Sequence, residues 1–236
     1  MENRTNSFYK AEGKKSSIGE NAFYYHSLST FVKAFLAGVM VALGATTFLS
    51  VSSKYLGSAL FSIGLFVIFS YGLALYTGKI GYFIVQNKNK NMQLIPTWLG
   101  NLAGTVVMGY ILRLTRASSK LSSRALSLCE EKLNDNVLSI FVLALFCGML
   151  MFIAADNYKN AANSIQKYLG IILPVMAFIL CGFEHCVANM YYFSVSNSWS
   201  LKAVLYILVM TLGNSLGAMI IPASHKLTEL IRSKIR

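Results

Sequence analysis

Apolar and polar stretches alternate along the chain so that six hydrophobic segments stand out, at residues 31–51, 55–86, 94–114, 137–155, 169–197 and 201–223. A bilayer core takes about 20 helical residues, so each is long enough to span. Two exceed that length: 55–86 covers 32 positions and 169–197 covers 29. These two also carry polar interruptions, Thr77-Gly78-Lys79 in one and Gly182-Phe183-Glu184-His185 in the other. Glycine weakens a helix, and a backbone freed from it inside a membrane needs protein partners. A break at each interruption is therefore the simplest reading.

The segments also repeat. Gly38 recurs as Gly148, Gly72 as Gly182, and Tyr82-Phe83 as Tyr192-Phe193, all at an offset of 110. Leu99-Gly100-Asn101 with Gly104 recurs as Leu212-Gly213-Asn214 with Gly217, at 113. Each copy reads as helix, broken helix, helix, one over about 31–114 and the other over about 137–223. Three spans per copy is odd, so the second copy enters the membrane inverted, and the two breaks meet near the midplane. The reading is an all-α membrane protein of six transmembrane spans in two inverted three-helix repeats, with two broken helices. A polar segment (1–30) precedes the channel domain (31–223), and a basic tail (224–236) follows. No apolar core of signal-peptide length precedes residue 31.

Composition strengthens this picture: 55% of residues are hydrophobic, 13% are charged, and mean hydropathy is +0.54. The net charge of +12 does not point to nucleic acid, since no soluble domain carries a binding face. With both termini cytoplasmic, thirteen of the 21 basic residues fall inside and seven outside, which favours that orientation in a plasma or inner membrane. Five of the outside seven, Arg113, Arg116, Lys120, Arg124 and Lys132, crowd one linker. They leave open an anion-attracting rim or an inverted orientation. Cys129, Cys147, Cys181 and Cys186 lack metal spacing and read as packing residues.

The candidate chemistry lies in the breaks. An ionisable residue within a membrane segment marks a pathway or an internal partner. His185 reads as a pathway residue able to exchange a proton near its ordinary pKa of about 6.5. Glu184, pointing elsewhere on the helix, reads as an acceptor of backbone N–H groups at the break. Thr77 has a hydroxyl for a solute or for freed backbone. Lys79 reads as the inner end of the pathway, snorkelling or paired. Asn101 and Asn214, flanked by small residues, read as interhelical hydrogen-bonding partners.

The run Gly182-Phe183-Glu184-His185-Cys186-Val187-Ala188-Asn189-Met190, preceded by Leu173-Pro174-Val175 and Phe178, resembles the signature of the formate/nitrite transporter family. Leu75-Tyr76-Thr77 resembles its first-repeat loop, and Leu212-Gly213-Asn214 with Gly217 its last-helix motif. The resemblance implies an aquaporin-like protomer assembled as a homopentamer with a pore in each protomer, and Thr77 and His185 facing each other between hydrophobic constrictions. It assigns the constrictions to Leu65, Leu75, Tyr76 and Phe178, with Phe61 further outward. It matches Lys167 to a lysine near the pathway's mouth and places Asn189 in a supporting role. Tyr76, where phenylalanine is common, and the following Gly78-Lys79 depart from formate members.

Taken together, these readings expect a channel for formate, nitrite or hydrosulfide, with no enzyme activity, cofactor or metal, and with the bilayer, the anion and further copies of the chain as partners. His185 either lends a proton during passage, so that flux titrates through the histidine range, or stays neutral and donates a hydrogen bond. A water- or glycerol-like facilitator is the alternative, although its Asn-Pro-Ala breaks are missing.

Overall fold

The computed structural model describes residues 20–235, and within them every regular element is helical. In chain order these are α1 (Glu20–Ser50), α2 (Lys54–Ser70), α3 (Tyr76–Lys79) continued by a 3-10 helix (Ile80–Ile84), α4 (Lys88–Met92), α5 (Leu94–Arg113), α6 (Ser118–Leu133), α7 (Val137–Asn160), α8 (Ser164–Leu180), α9 (Cys186–Ser196) and α10 (Leu201–Ile235). Four stretches are long and apolar enough to cross a membrane: Phe23–Ser50, Lys88–Arg113, Val137–Asn160 and Leu201–Lys234. Lys54–Ser70 and Ser164–Leu180 are apolar but shorter. At 17 residues each, these two reach about 25 Å at 1.5 Å per residue, less than the ~30 Å core.

Helices run through both edges of the apolar domain. α1 begins before residue 31 and α10 continues past residue 223, because hydropathy marks where a helix meets a different solvent, not where its hydrogen bonding stops. Residues 1–19 of the polar start lie outside the described residues.

Both broken helices stop by the same device. Gly72 (φ 61°) and Gly182 (φ 70°) take the left-handed conformation that L side chains resist. Leu73 N–H then bonds back to Ile68 O, and Phe183 N–H to Phe178 O, both at 2.8 Å, as in a glycine-ended helix cap. The second break thus lies where the sequence suggests. The first does not: it covers residues 71–75, and Thr77, Gly78 and Lys79 are already in α3. A polar side chain can be accommodated in a helix that faces a cavity, whereas the positive φ cannot continue one.

The freed backbone is held by two asparagines. Asn101 on α5 accepts from Tyr76 N–H (2.8 Å) and donates to Ala34 O (2.8 Å) and Ala74 O (2.9 Å). Asn214 on α10 accepts from Cys186 N–H (2.9 Å) and donates to Ala144 O (2.7 Å) and Glu184 O (2.8 Å). One amide satisfies two backbone groups at each break and ties them to a carbonyl of the neighbouring continuous helix, Ala34 O on α1 or Ala144 O on α7. Close approach makes this possible. A Cβ on Gly38 would overlap the Asn101 carbonyl, and one on Gly148 the Asn214 carbonyl. α1 accordingly packs chiefly on α5, and α7 on α10.

The linker that crowds the basic residues is largely α6. Its buried positions Leu121, Ala125, Cys129 and Lys132 follow helical spacing and face α9. Its outer cations close helix ends: Arg124 donates to Leu49 O and Val51 O (2.8 Å each) and Lys120 to Ser50 O (2.7 Å), all at the end of α1. Arg113 donates to Val195 O near the end of α9 (3.2 Å).

Replacing Asn101 or Asn214 by Ala strands buried donors and acceptors at a cost of about 1–3 kcal/mol per group. Either variant is expected to lower the unfolding temperature in detergent by several degrees or to abolish folded yield, measured by thermal scanning. Gly217→Ala, whose Cβ would meet the Leu145 carbonyl, is expected to do the same by separating α7 from α10.

Candidate functional site

The two breaks bring one residue from each copy into contact. Thr77 Oγ1 lies 2.8 Å from His185 Nε2, and both residues are buried, at 0% and 1% exposed. His185 is also the N-cap of α9: its Nδ1 accepts from Ala188 N–H at 3.1 Å. With Nδ1 taken as an acceptor, the neutral ring carries its hydrogen on Nε2 and donates toward Thr77. An imidazolium would set a second N–H against Ala188 N–H and lose the cap. The geometry therefore opposes proton lending by His185 and suits hydrogen-bond donation.

Apolar side chains flank this pair. The Phe178 ring lies 5.7 Å from the His185 ring and packs edge-on against Phe61 at 5.6 Å. Leu65 and Leu75 are buried with them in the same core. Tyr76, only partly buried, packs against the same core and sends its hydroxyl to Ser215 Oγ at 2.9 Å. It lines an apolar groove with Trp98, Leu99 and Leu208.

A cavity of about 120 Å³ lies on the linker side of the pair, lined by His185, Phe178, Glu184, Asn189, Lys132 and Lys54 among others. Here Glu184 does not accept backbone N–H groups. Its Oε1 pairs with Lys132 Nζ at 3.3 Å, and its Oε2 accepts from Asn189 Nδ2 at 2.8 Å. The same Asn189 amide donates to His185 O at 2.9 Å, and its buried Oδ1 has no partner among the described residues. Lys132 is the residue the linker reading missed. Its sequence signal is the buried spacing of α6, which carries it to the break.

On the side of the chain termini a larger cavity, about 780 Å³, contains Lys79 together with Lys33, Lys90 and Lys159. Lys79 thus lies at the terminal-side vestibule and not at the buried centre. Lys167 stands apart from both cavities, with its ammonium 4.0 Å from the centre of the Tyr158 ring. The pieces form an apolar centre with one hydrogen-bonding pair, and charged side chains line the cavities on either side of it.

Removing one partner of a buried ion pair costs about 3–5 kcal/mol, whereas removing both is far cheaper. Lys132→Met is expected to destabilise the protein by that order and Lys132→Met with Glu184→Gln much less, as read from thermal unfolding of the two variants and the parent.

The profile described as Formate/nitrite transporter matches residues 13–226. The formate channel FocB of Escherichia coli (strain K12) is 26% identical over 216 residues, covering 81% of this chain and 76% of that protein. A probable formate transporter of Methanothermobacter thermautotrophicus is 28% identical over 233 residues, covering 81% and 85%. Among solved structures, one described as a pentameric formate channel with formate bound superposes at a TM-score of 0.73 with 22% identity, covering 87% of this chain and 98% of that one. Another, described as an FNT family ion channel, gives 0.69 with 25% identity, covering 82% and 87%. With the match extending over both breaks and all four long apolar helices, the chain belongs to the formate/nitrite transporter family.

Proposed function

We propose that the protein is a membrane channel for the small monovalent anion of a weak acid, of the formate, nitrite or hydrosulfide class, which crosses its centre as the neutral acid. The observation that carries this reading is the Thr77–His185 pair, buried at 2.8 Å between a linker-side cavity of mixed charge and a lysine-lined terminal-side vestibule. An ion stripped of water in an apolar passage costs many kcal/mol, whereas a neutral acid needs little more than its hydrogen bonds replaced. Lysines gather the anion at the terminal side, protonation at the mouths discharges it, and the Nε2–H of His185 offers one hydrogen bond at the midpoint. A neutral-solute facilitator would have no use for the lysine-lined vestibule.

Counting each broken helix as one pass gives six spans, and the odd number per copy places the second copy inverted, with both termini on the cytoplasmic face of the plasma or inner membrane. The basic linker no longer opposes this orientation, since Lys120, Arg124 and Arg113 are engaged at helix ends. A homopentamer follows the assembly named for the similar solved channel. Its subunit contacts would cover outward apolar surface such as Ile95, Leu99, Leu208 and Leu212.

Proteoliposomes carrying the purified protein are expected to pass formate, nitrite or hydrosulfide and to exclude chloride, whose conjugate acid is not populated near neutral pH. Flux should rise as pH falls, in step with the acid form of each solute. His185→Asn keeps an N-cap residue and loses the ring N–H, so it should fold and conduct about threefold to tenfold more slowly with an unchanged pH profile. A parental profile that titrates near 6.5 and disappears in the Asn variant would establish proton lending instead. Chloride flux equal to formate flux in the parent would overturn the proposal. Phe178→Ala, by widening the apolar passage, should admit chloride.

A further inference from the structure

The terminal-side vestibule holds more cation than the gathering of a monovalent anion requires. Lys33 on α1, Lys79 on α3 and Lys159 on α7 line it, with His26 and Gln93, and no carboxylate is among its described lining residues. Asp156 on α7 acts on Lys159 from outside this lining and is itself engaged by the Tyr82 hydroxyl at 2.9 Å and by the Asn160 amide at 3.0 Å. The Lys159 ammonium stands 4.0 Å from the centre of the Tyr82 ring, which steadies a cation without neutralising it.

The wall also has an uncommitted polar end. Gln93 is 6% exposed, its Nε2 donates to Ser27 Oγ at 3.2 Å, and its buried Oε1 accepts from no described residue. The amide turned over has the same shape. It then accepts from the Ser27 hydroxyl and has an NH2 group to give to an oxygen ligand.

Like charges gathered in one cavity, such as those of Lys33, Lys79 and Lys159, raise the energy of the empty site, and an anion relieves this in proportion to its own charge. A dianion gains about twice what a monoanion gains. It also cannot follow the monoanion onward, because one proton leaves it charged and the buried Leu75 and Thr77 beyond Lys79 withhold solvation. We propose that this vestibule binds a divalent oxyanion of the sulfate or phosphate class against Lys33, Lys79 and Lys159, and that the bound dianion occludes the pathway from that side.

Equilibrium dialysis of radiolabelled sulfate against the detergent-purified protein at low ionic strength tests the binding without requiring any transported solute. Saturable binding is expected, displaced by inorganic phosphate and not by equimolar chloride. Lys79→Gln and Lys159→Gln should each weaken it roughly tenfold, the scale of a lost charge-assisted hydrogen bond, while Lys202→Gln on α10, outside the vestibule, leaves it unchanged. In proteoliposomes sulfate should then slow formate flux from one face only, and Lys79→Gln should relieve that block. Sulfate held no more tightly than chloride by the parent, or equal sulfate binding by the parent and by both vestibule variants, would overturn the site. Sulfate binding without a one-sided, Lys79-dependent block would overturn the occlusion. Because the dialysis reads binding alone, failure of weak-acid transport would leave the site standing.

Discussion

Everything at the centre depends on two asparagine side chains. A helix broken within a membrane protein exposes N–H and C=O groups that the bilayer cannot satisfy. Asn101 and Asn214 each supply one acceptor and one donor to those groups and a second donor to an adjoining helix, from positions that glycines allow within contact distance. The order of cause is therefore glycine first, close packing second, amide third and half-helix last. Only with the start of α9 anchored in this way does His185 take the N-cap position, and only there does its Nε2 meet Thr77.

The two copies share this scaffold and differ in what they place on it. At the 110 offset Ala74, Leu75 and Lys79 correspond to Glu184, His185 and Asn189. The second copy therefore carries a connected polar set: the Lys132 ammonium, the Glu184 carboxylate, the Asn189 amide and the His185 backbone carbonyl. The first has an apolar residue at the equivalent cap and a lone cation facing open space. Duplication explains the geometry of the breaks, and divergence explains why one mouth is narrow with a paired charge while the other is wide and basic.

Much of this was legible in the chain. The repeat matched Asn101 to Asn214, the polar interruption marked the second break, and Thr77 and His185 stood out as polar side chains within apolar segments. The first break was misplaced because polarity was taken as its marker. The equivalence of Gly72 and Gly182 was the better guide, since the left-handed backbone at both is what stops the helix. The basic linker shows a similar limit: counting charges ignores the acceptors they meet, and Arg124 and Lys120 donate to carbonyls at the end of α1. Lys132 shows it again. The direction of a side chain comes from helix phase, which a residue's identity does not reveal.

The protonation state of His185 ties these features together. Three neighbours constrain the ring: Ala188 N–H occupies Nδ1, Thr77 Oγ1 sits at Nε2, and Phe178 lies beside it. None offers a negative charge to an imidazolium, and the carboxylate one residue away is committed to Lys132 and Asn189. A ring so placed is set to donate a hydrogen bond. On the proposed weak-acid reading, the proton that discharges the anion comes from water or lysine at the mouths, where desolvation is incomplete and exchange is fast. The buried centre then holds no full charge at any moment, and a passage lined by leucine and phenylalanine would conduct an acid and still exclude its unprotonated competitors.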